Sequence, residues 1–161
     1  MNIVFIACTP LAGAPIRIAN ALNKHTSFDV RMINLNANAY GKCVFDEDLS
    51  WQNDKEQCLQ LIAQADILHF HHYFDIESEN NPFGINFKKV APNAKILRHF
   101  HTELNQICKW LNCSKVEILN DKYEKVVIPH CPERTFLETY IVPNIIPISE
   151  DLLLPKILSG Y

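Results

Sequence analysis

The sequence predicts an α/β domain with a mainly parallel sheet covered by helices on both faces. Three observations predict it. Apolar runs of strand length recur at residues 2–7, 28–33, 67–70 and 94–99, separated by stretches with helical spacing. The first run, Asn-Ile-Val-Phe-Ile-Ala, is apolar almost throughout, as in a strand buried on both faces. Three strand-like stretches run into polar residues at their carboxyl ends, where open sheets of this kind bind ligands.

Each element follows from its own pattern. After the strand at residues 2–7, residues 8–14 form a loop containing Gly13. Pro15 suits the first turn of a helix, where its missing N–H costs nothing, and Ile18, Ala19 and Leu22 share one helical face. Phe28, Val30 and Met32 alternate with Asp29 and Arg31, giving a second strand at 28–33. Cys43-Val44-Phe45 suggests a short third strand. Asn53 with Glu56 reads as a reciprocal amino-terminal cap, and Cys58, Leu59 and Ile62 make the stripe of the helix behind it. A strand at 67–70 follows, then a polar loop at 77–82 and a short helix within 84–90. The strand at 94–99 leads into a helix at 101–111, with Leu104, Ile107, Cys108 and Leu111 at helical spacing. Short strands at 125–128 and 140–142 complete the pattern.

Strands alternating with helices imply right-handed β-α-β units. The expected architecture is therefore a Rossmann-like three-layer domain. In the common doubly wound order the first strand lies beside the strand at 67–70, and that strand beside the one at 94–99. This order would bring the Gly13 loop, the 69–73 turn and the 99–103 turn to one place.

Size and composition narrow the function. At 161 residues the chain is most simply one domain with a substantial core. A net charge of −3 argues against a nucleic-acid partner bound through a general basic surface. No run approaches the ~20 apolar residues of a membrane span, and the first residues do not read as a signal peptide. A cytoplasmic location is expected. The six cysteines include no C-x-x-C pair and are expected to be reduced, several as small core residues.

Five of the seven histidines fall in Asp-Ile-Leu-His-Phe-His-His at 66–72 and Lys-Ile-Leu-Arg-His-Phe-His-Thr-Glu at 95–103. The period of two places His69 with His71 on one side of a strand, and His99 with His101. Three readings compete: structural imidazoles bonded to backbone carbonyls, a substrate-binding role for one or two, and a metal site. With no H-E-x-x-H and no tight ligand pattern, no metal and no cofactor are assigned. His101, ending a strand and opening a helix, is the best single candidate. Gly13 permits close backbone approach, and the helix start behind it offers N–H groups and a positive dipole end. A plain strand-to-helix turn explains the same loop. Arg17 fits either an anion contact or an exposed ion pair. Glu103 suits a first helical turn with or without a function.

Four segments, in order, resemble the amino-terminal domain of the GT-B glycosyltransferases, the retaining group that includes many bacterial cell-envelope and capsule enzymes. Residues 12–22, Ala-Gly-Ala-Pro-Ile-Arg-Ile-Ala-Asn-Ala-Leu, resemble the family's glycine loop and first helix. Asp66-Ile67-Leu68-His69-Phe70-His71 resembles its D-[IV]-[IVL]-H-x-H strand, and Arg98-His99-Phe100-His101-Thr102-Glu103 its strand-end histidine. Val142-Pro143-Asn144 resembles the V-P-N that leads to its second domain.

The resemblance implies transfer of a sugar from a nucleotide-sugar donor to a glycan or lipid-linked acceptor, without a bound metal. Residues 1–150 would be the acceptor-side domain and 151–161 a linker or tail. His101 would touch the donor sugar in the catalytic position. Gly13, Ala14, Arg17, His69, His71 and Glu103 would line the substrate side. The chain departs from the family at Ala12, where a second glycine is usual, and at Ile145-Ile146-Pro147, where an Asp usually follows. No nucleotide-gripping second domain is recognisable, so a partner domain or chain supplying it is expected, with little transfer by this chain alone. The alternative is a non-catalytic Rossmann-like binding or interaction subunit.

Overall fold

The computed structural model describes residues 1–36, 48–127 and 140–141. It is an α/β domain built on a seven-stranded, wholly parallel sheet. The strands are β1 (Asn2–Ala7), β2 (Asp29–Asn34), β3 (Leu49–Ser50), β4 (Ile67–Phe70), β5 (Lys95–Phe100), β6 (Glu124–Val127) and β7 (Tyr140–Ile141), in the order β3-β2-β1-β4-β5-β6-β7. The expected neighbours β1, β4 and β5 do lie side by side.

The burial of β1 follows from its composition. Every residue from Ile3 to Ala7 is buried, and the alternating side chains feed two cores. Ile3, Phe5 and Ala7 face α1 (Ala14–His25), packing with Ile16 and Ala19. Val4 and Ile6 share the opposite core with Cys58 and Ile62 of α2 (Lys55–Ala63) and Phe87 of α3 (Phe87–Val90). Full burial of side chains such as Phe5 and Ile6 contributes roughly 1.5–3 kcal/mol each. Helices on both faces therefore make three layers. A third cluster joins Phe100 to Leu104 and Ile107 of α4 (Leu104–Leu111) and Ile118 of α5 (Lys115–Leu119).

Element ends differ from the sequence reading for local reasons. The second helix is preceded by Asp54, not Asn53, and the expected cap is not made; the Asp54 carboxylate instead accepts the Ser50 N–H at 2.9 Å. α4 begins at Leu104, so His101 and Thr102 lie in the bend before it and His101 does not open the helix. α5 was not expected, yet Ser114 and Glu117 cap it reciprocally. A third strand occurs at Leu49–Ser50, while the one expected at 43–45 lies outside the described residues, as do Val142-Pro143-Asn144 and the segment 151–161. No described helix is long and apolar enough to cross a membrane.

A buried ion pair supports the carboxyl end of β5. The Arg98 guanidinium donates to Asp121 at 3.0 Å and to the Phe74 carbonyl at 3.0 Å. It also lies 4.6 Å from the Tyr73 ring centre. Both charged side chains are almost fully buried. Arg98 points to the side of the strand opposite its neighbour His99, so the pair braces the turn from behind.

Candidate functional site: a histidine cluster at the strand ends

The register of the sheet builds the site. Phe5 pairs with His69, and Phe70 with Arg98, so the alternation puts His69, His71, His99 and His101 on the face that also carries Phe5. The His71 N–H continues the ladder by donating to the Ile6 carbonyl at 2.9 Å. Backbone pairing thus fixes where each imidazole starts.

The rings form one stack. His69 and His71 have centres 4.4 Å apart at 18°, and His99 and His101 4.0 Å apart at 21°. His69 and His99 close the set at 5.3 Å. Phe5 covers it from β1, 4.5 Å from His69 and 4.7 Å from His71. His69, His71 and His99 are each more than nine-tenths buried.

Their polar atoms are unevenly satisfied. His71 Nδ1 lies 2.8 Å from His101 Nε2. His69 Nε2, His71 Nε2 and His99 Nδ1 are buried and have no hydrogen-bond partner. The five imidazoles are held neutral mainly by burial, which disfavours the charged ring. It lowers His69 to about 3, His99 to about 2, and His72 and His101 each to about 4, with His71 also well below the usual value. The proximity of the rings to one another adds to the shift for all of these except His72.

His72 has a role the sequence reading did not single out. Its Nδ1 accepts the Cys8 N–H at 3.1 Å, which puts its proton on Nε2, 3.3 Å from Thr9 Oγ1. It therefore ties the loop after β1 to the loop after β4. Cys8 beside it is kept a neutral thiol by burial, which raises it to about 12. Asn34, ending β2 beside Ala7, is also buried, with neither side-chain polar atom partnered. A polar residue closing an apolar strand was the available sequence signal for it.

The remaining expected residues are distributed as follows. Gly13 precedes α1 with φ 78° and ψ 5°, a left-handed conformation that glycine adopts without strain. Its N–H donates to the Pro10 carbonyl at 2.9 Å, and the Ala14 N–H donates to the Leu11 carbonyl. Both donors are thus used inside the turn, and Pro15 has none. Arg17 is half-buried on α1 and pairs with no acid among the described residues. Glu103 is exposed at the start of α4, and its side chain caps nothing.

A pocket of about 130 Å³ opens beside the stack, lined by His71, His99, His101, Leu11, Tyr73 and Trp110 among others. This is well below the roughly 300–1,000 Å³ of pockets that enclose drug-sized ligands. It has room for a single ring-sized group. None of its described lining residues is Lys, Arg, Asp or Glu. Trp110 is 67% exposed, an unusual position for an indole. A wider open groove of about 510 Å³ lies beyond Tyr73; its two cations are each engaged by an acid, Lys122 by Glu77 at 2.7 Å and Arg98 by Asp121, and Asp75 and Glu117 also line it.

Comparison with protein-family profiles, with curated proteins and with solved structures finds no match to this chain.

Proposed function

We propose that this domain is the acceptor-side half of a sugar transferase of the retaining GT-B kind, holding the sugar of a nucleotide-sugar donor near a glycan acceptor. The observation that carries the reading is the order β1-β4-β5, beside which Leu11 of the loop after β1, His71 and His101 line one ring-sized pocket. A neutral imidazole at His101 can exchange hydrogen bonds with sugar hydroxyls, and the exposed Trp110 indole offers a face for the C–H side of a pyranose. Transfer needs charge stabilisation on the leaving diphosphate, which is largely electrostatic work. No cation lines the pocket among its described residues, and the N–H groups of Gly13 and Ala14 at the start of α1 are already used. Apart from Arg17, that stabilisation falls to a nucleotide-binding unit in the same or another chain.

The test is saturation-transfer NMR on the chelator-treated chain with nucleotide sugars, free sugars and nucleotides. Sugar protons should receive saturation, and His101→Asn and Trp110→Ala should each abolish it. No sugar contact, or contact unchanged in both variants, defeats the reading. Efficient transfer by this chain alone would defeat the half-site part. Exposure of Trp110, Leu111 and Val116 favours the second reading, a non-catalytic interaction subunit, which predicts no sugar contact.

A further inference from the structure

We propose that His69, His71 and His99 form a binding site for one late first-row transition-metal dication, of which zinc is the reference case. Each residue offers one ring nitrogen, and the three nitrogens lie within 4.8 Å of one another. His69, His71 and His99 each also carry a buried ring nitrogen with no partner, on Nε2, Nε2 and Nδ1 respectively. An orphaned buried polar atom is uncommon, and three in one cluster require an explanation. A single cation accepting all three lone pairs supplies one.

The geometry is close to what such an ion needs. Zinc–nitrogen bonds of about 2.0–2.1 Å in a tetrahedron put ligand nitrogens about 3.4 Å apart. The rings have to close by no more than about 1.4 Å, a displacement side-chain rotation can supply while the strands stay fixed. The ligands come from two adjacent central strands, so their origins are set by the sheet register. An all-imidazole donor set suits zinc, copper, nickel and cobalt, and is poorly matched to magnesium or calcium.

His101 completes the arrangement from outside. A ligating histidine usually donates its second ring N–H to a neighbour, which fixes its tautomer. His71 has such a neighbour in His101 Nε2, leaving His71 Nε2 for the metal. The pocket of about 130 Å³ borders both His71 and His99, giving an ion access and a place for a fourth ligand such as water. Strand alternation carries the pattern as H-x-H and H-x-H, which differs from the helical H-E-x-x-H spacing of many zinc sites. The inference is independent of the sugar-transfer reading.

Equilibrium dialysis and calorimetry of the chelator-treated full chain with zinc, and the electronic spectrum with cobalt, test it. One zinc per chain, displaced by copper, and a cobalt spectrum of tetrahedral intensity are expected. His71→Phe should weaken zinc binding at least 100-fold, and His101→Gln about 10-fold. Circular dichroism checks that the variants fold. The cobalt spectrum of the unaltered chain decides the matter if they do not. No stoichiometric binding, an octahedral cobalt spectrum, or zinc affinity unchanged in a folded His71→Phe chain would overturn the proposal. The sugar titration is run without metal, so either idea can fail alone.

Discussion

His71 Nδ1 and His101 Nε2 stand 2.8 Å apart, and two neutral rings have one proton to place between them. If His71 carried its proton on Nε2, a buried N–H would be orphaned, which is rarer than an orphaned acceptor. The proton therefore belongs on His71 Nδ1, with His101 accepting. Nitrogen-15 spectra at neutral pH should show His71 as the Nδ1–H tautomer. Finding Nε2–H on His71 would reverse the donor and remove its free lone pair.

Acid should unfold this domain early. Its clustered histidines titrate below the value of about 6.5 expected in the unfolded chain, so between the two values the unfolded state binds more protons. Stability is then complete above pH 6.5 and lost as pH falls towards the folded values. Each such histidine adds up to about 1.4 kcal/mol per pH unit. Five together would exhaust a typical 5–15 kcal/mol within roughly two units. Urea midpoints measured with chelator from pH 8 to 4 should be level to about pH 6.5, then drop steeply. A flat profile down to pH 4.5 contradicts this.

Arg98→Met should cost about 3–5 kcal/mol, because it leaves the Asp121 carboxylate buried without its partner. Adding Asp121→Asn should recover much of that loss, since the amide oxygen can still accept the Tyr123 N–H. Urea denaturation of the single and double variants measures the coupling. A double variant no better than Arg98→Met would show that the cost lies in the lost stacking on Tyr73.

Gly13→Ala should destabilise by about 1–2 kcal/mol, because the residue keeps φ at 78°. Trp110→Ala should stay within about 0.5 kcal/mol of the parent, the indole being mostly exposed. Thermal melts on both variants check the contrast. A strongly destabilised Trp110→Ala chain would make the indole structural and remove it from the sugar reading.

The sheet was legible because β1 is a nearly pure apolar run, whose burial on both faces forces helices above and below, and because apolar residues recur at strand spacing in β2, β4 and β5. The adjacency of the three strand ends followed from assuming the common doubly wound order, which the observed β1-β4-β5 arrangement matches. The helix over Lys115–Leu119 carries its own signal in Ser114 and Glu117, three residues apart, a reciprocal cap on too short an apolar stripe to stand out. What no pattern of residues carries is satisfaction. That His72 would spend both ring nitrogens on the loop after β1, while His69 and His99 each leave one bare, depends on sub-ångström placement across separate strands. Arg98 likewise reads as an ordinary polar strand residue until Asp121, 23 positions later, is folded against it.

The strand order also dictates how the sheet can be assembled. β2 adds to one side of β1 and β3 adds beyond it; β4 adds to the other side, followed outward by β5, β6 and β7. Each new strand therefore meets a free edge left by an earlier one, and no paired strands have to part to admit a latecomer. A chain emerging from the ribosome can build this sheet by accretion. The imidazole stack needs β5 to close it, so in such a build-up the hydrophobic platform of β1 and β4 would precede the burial of its ring nitrogens.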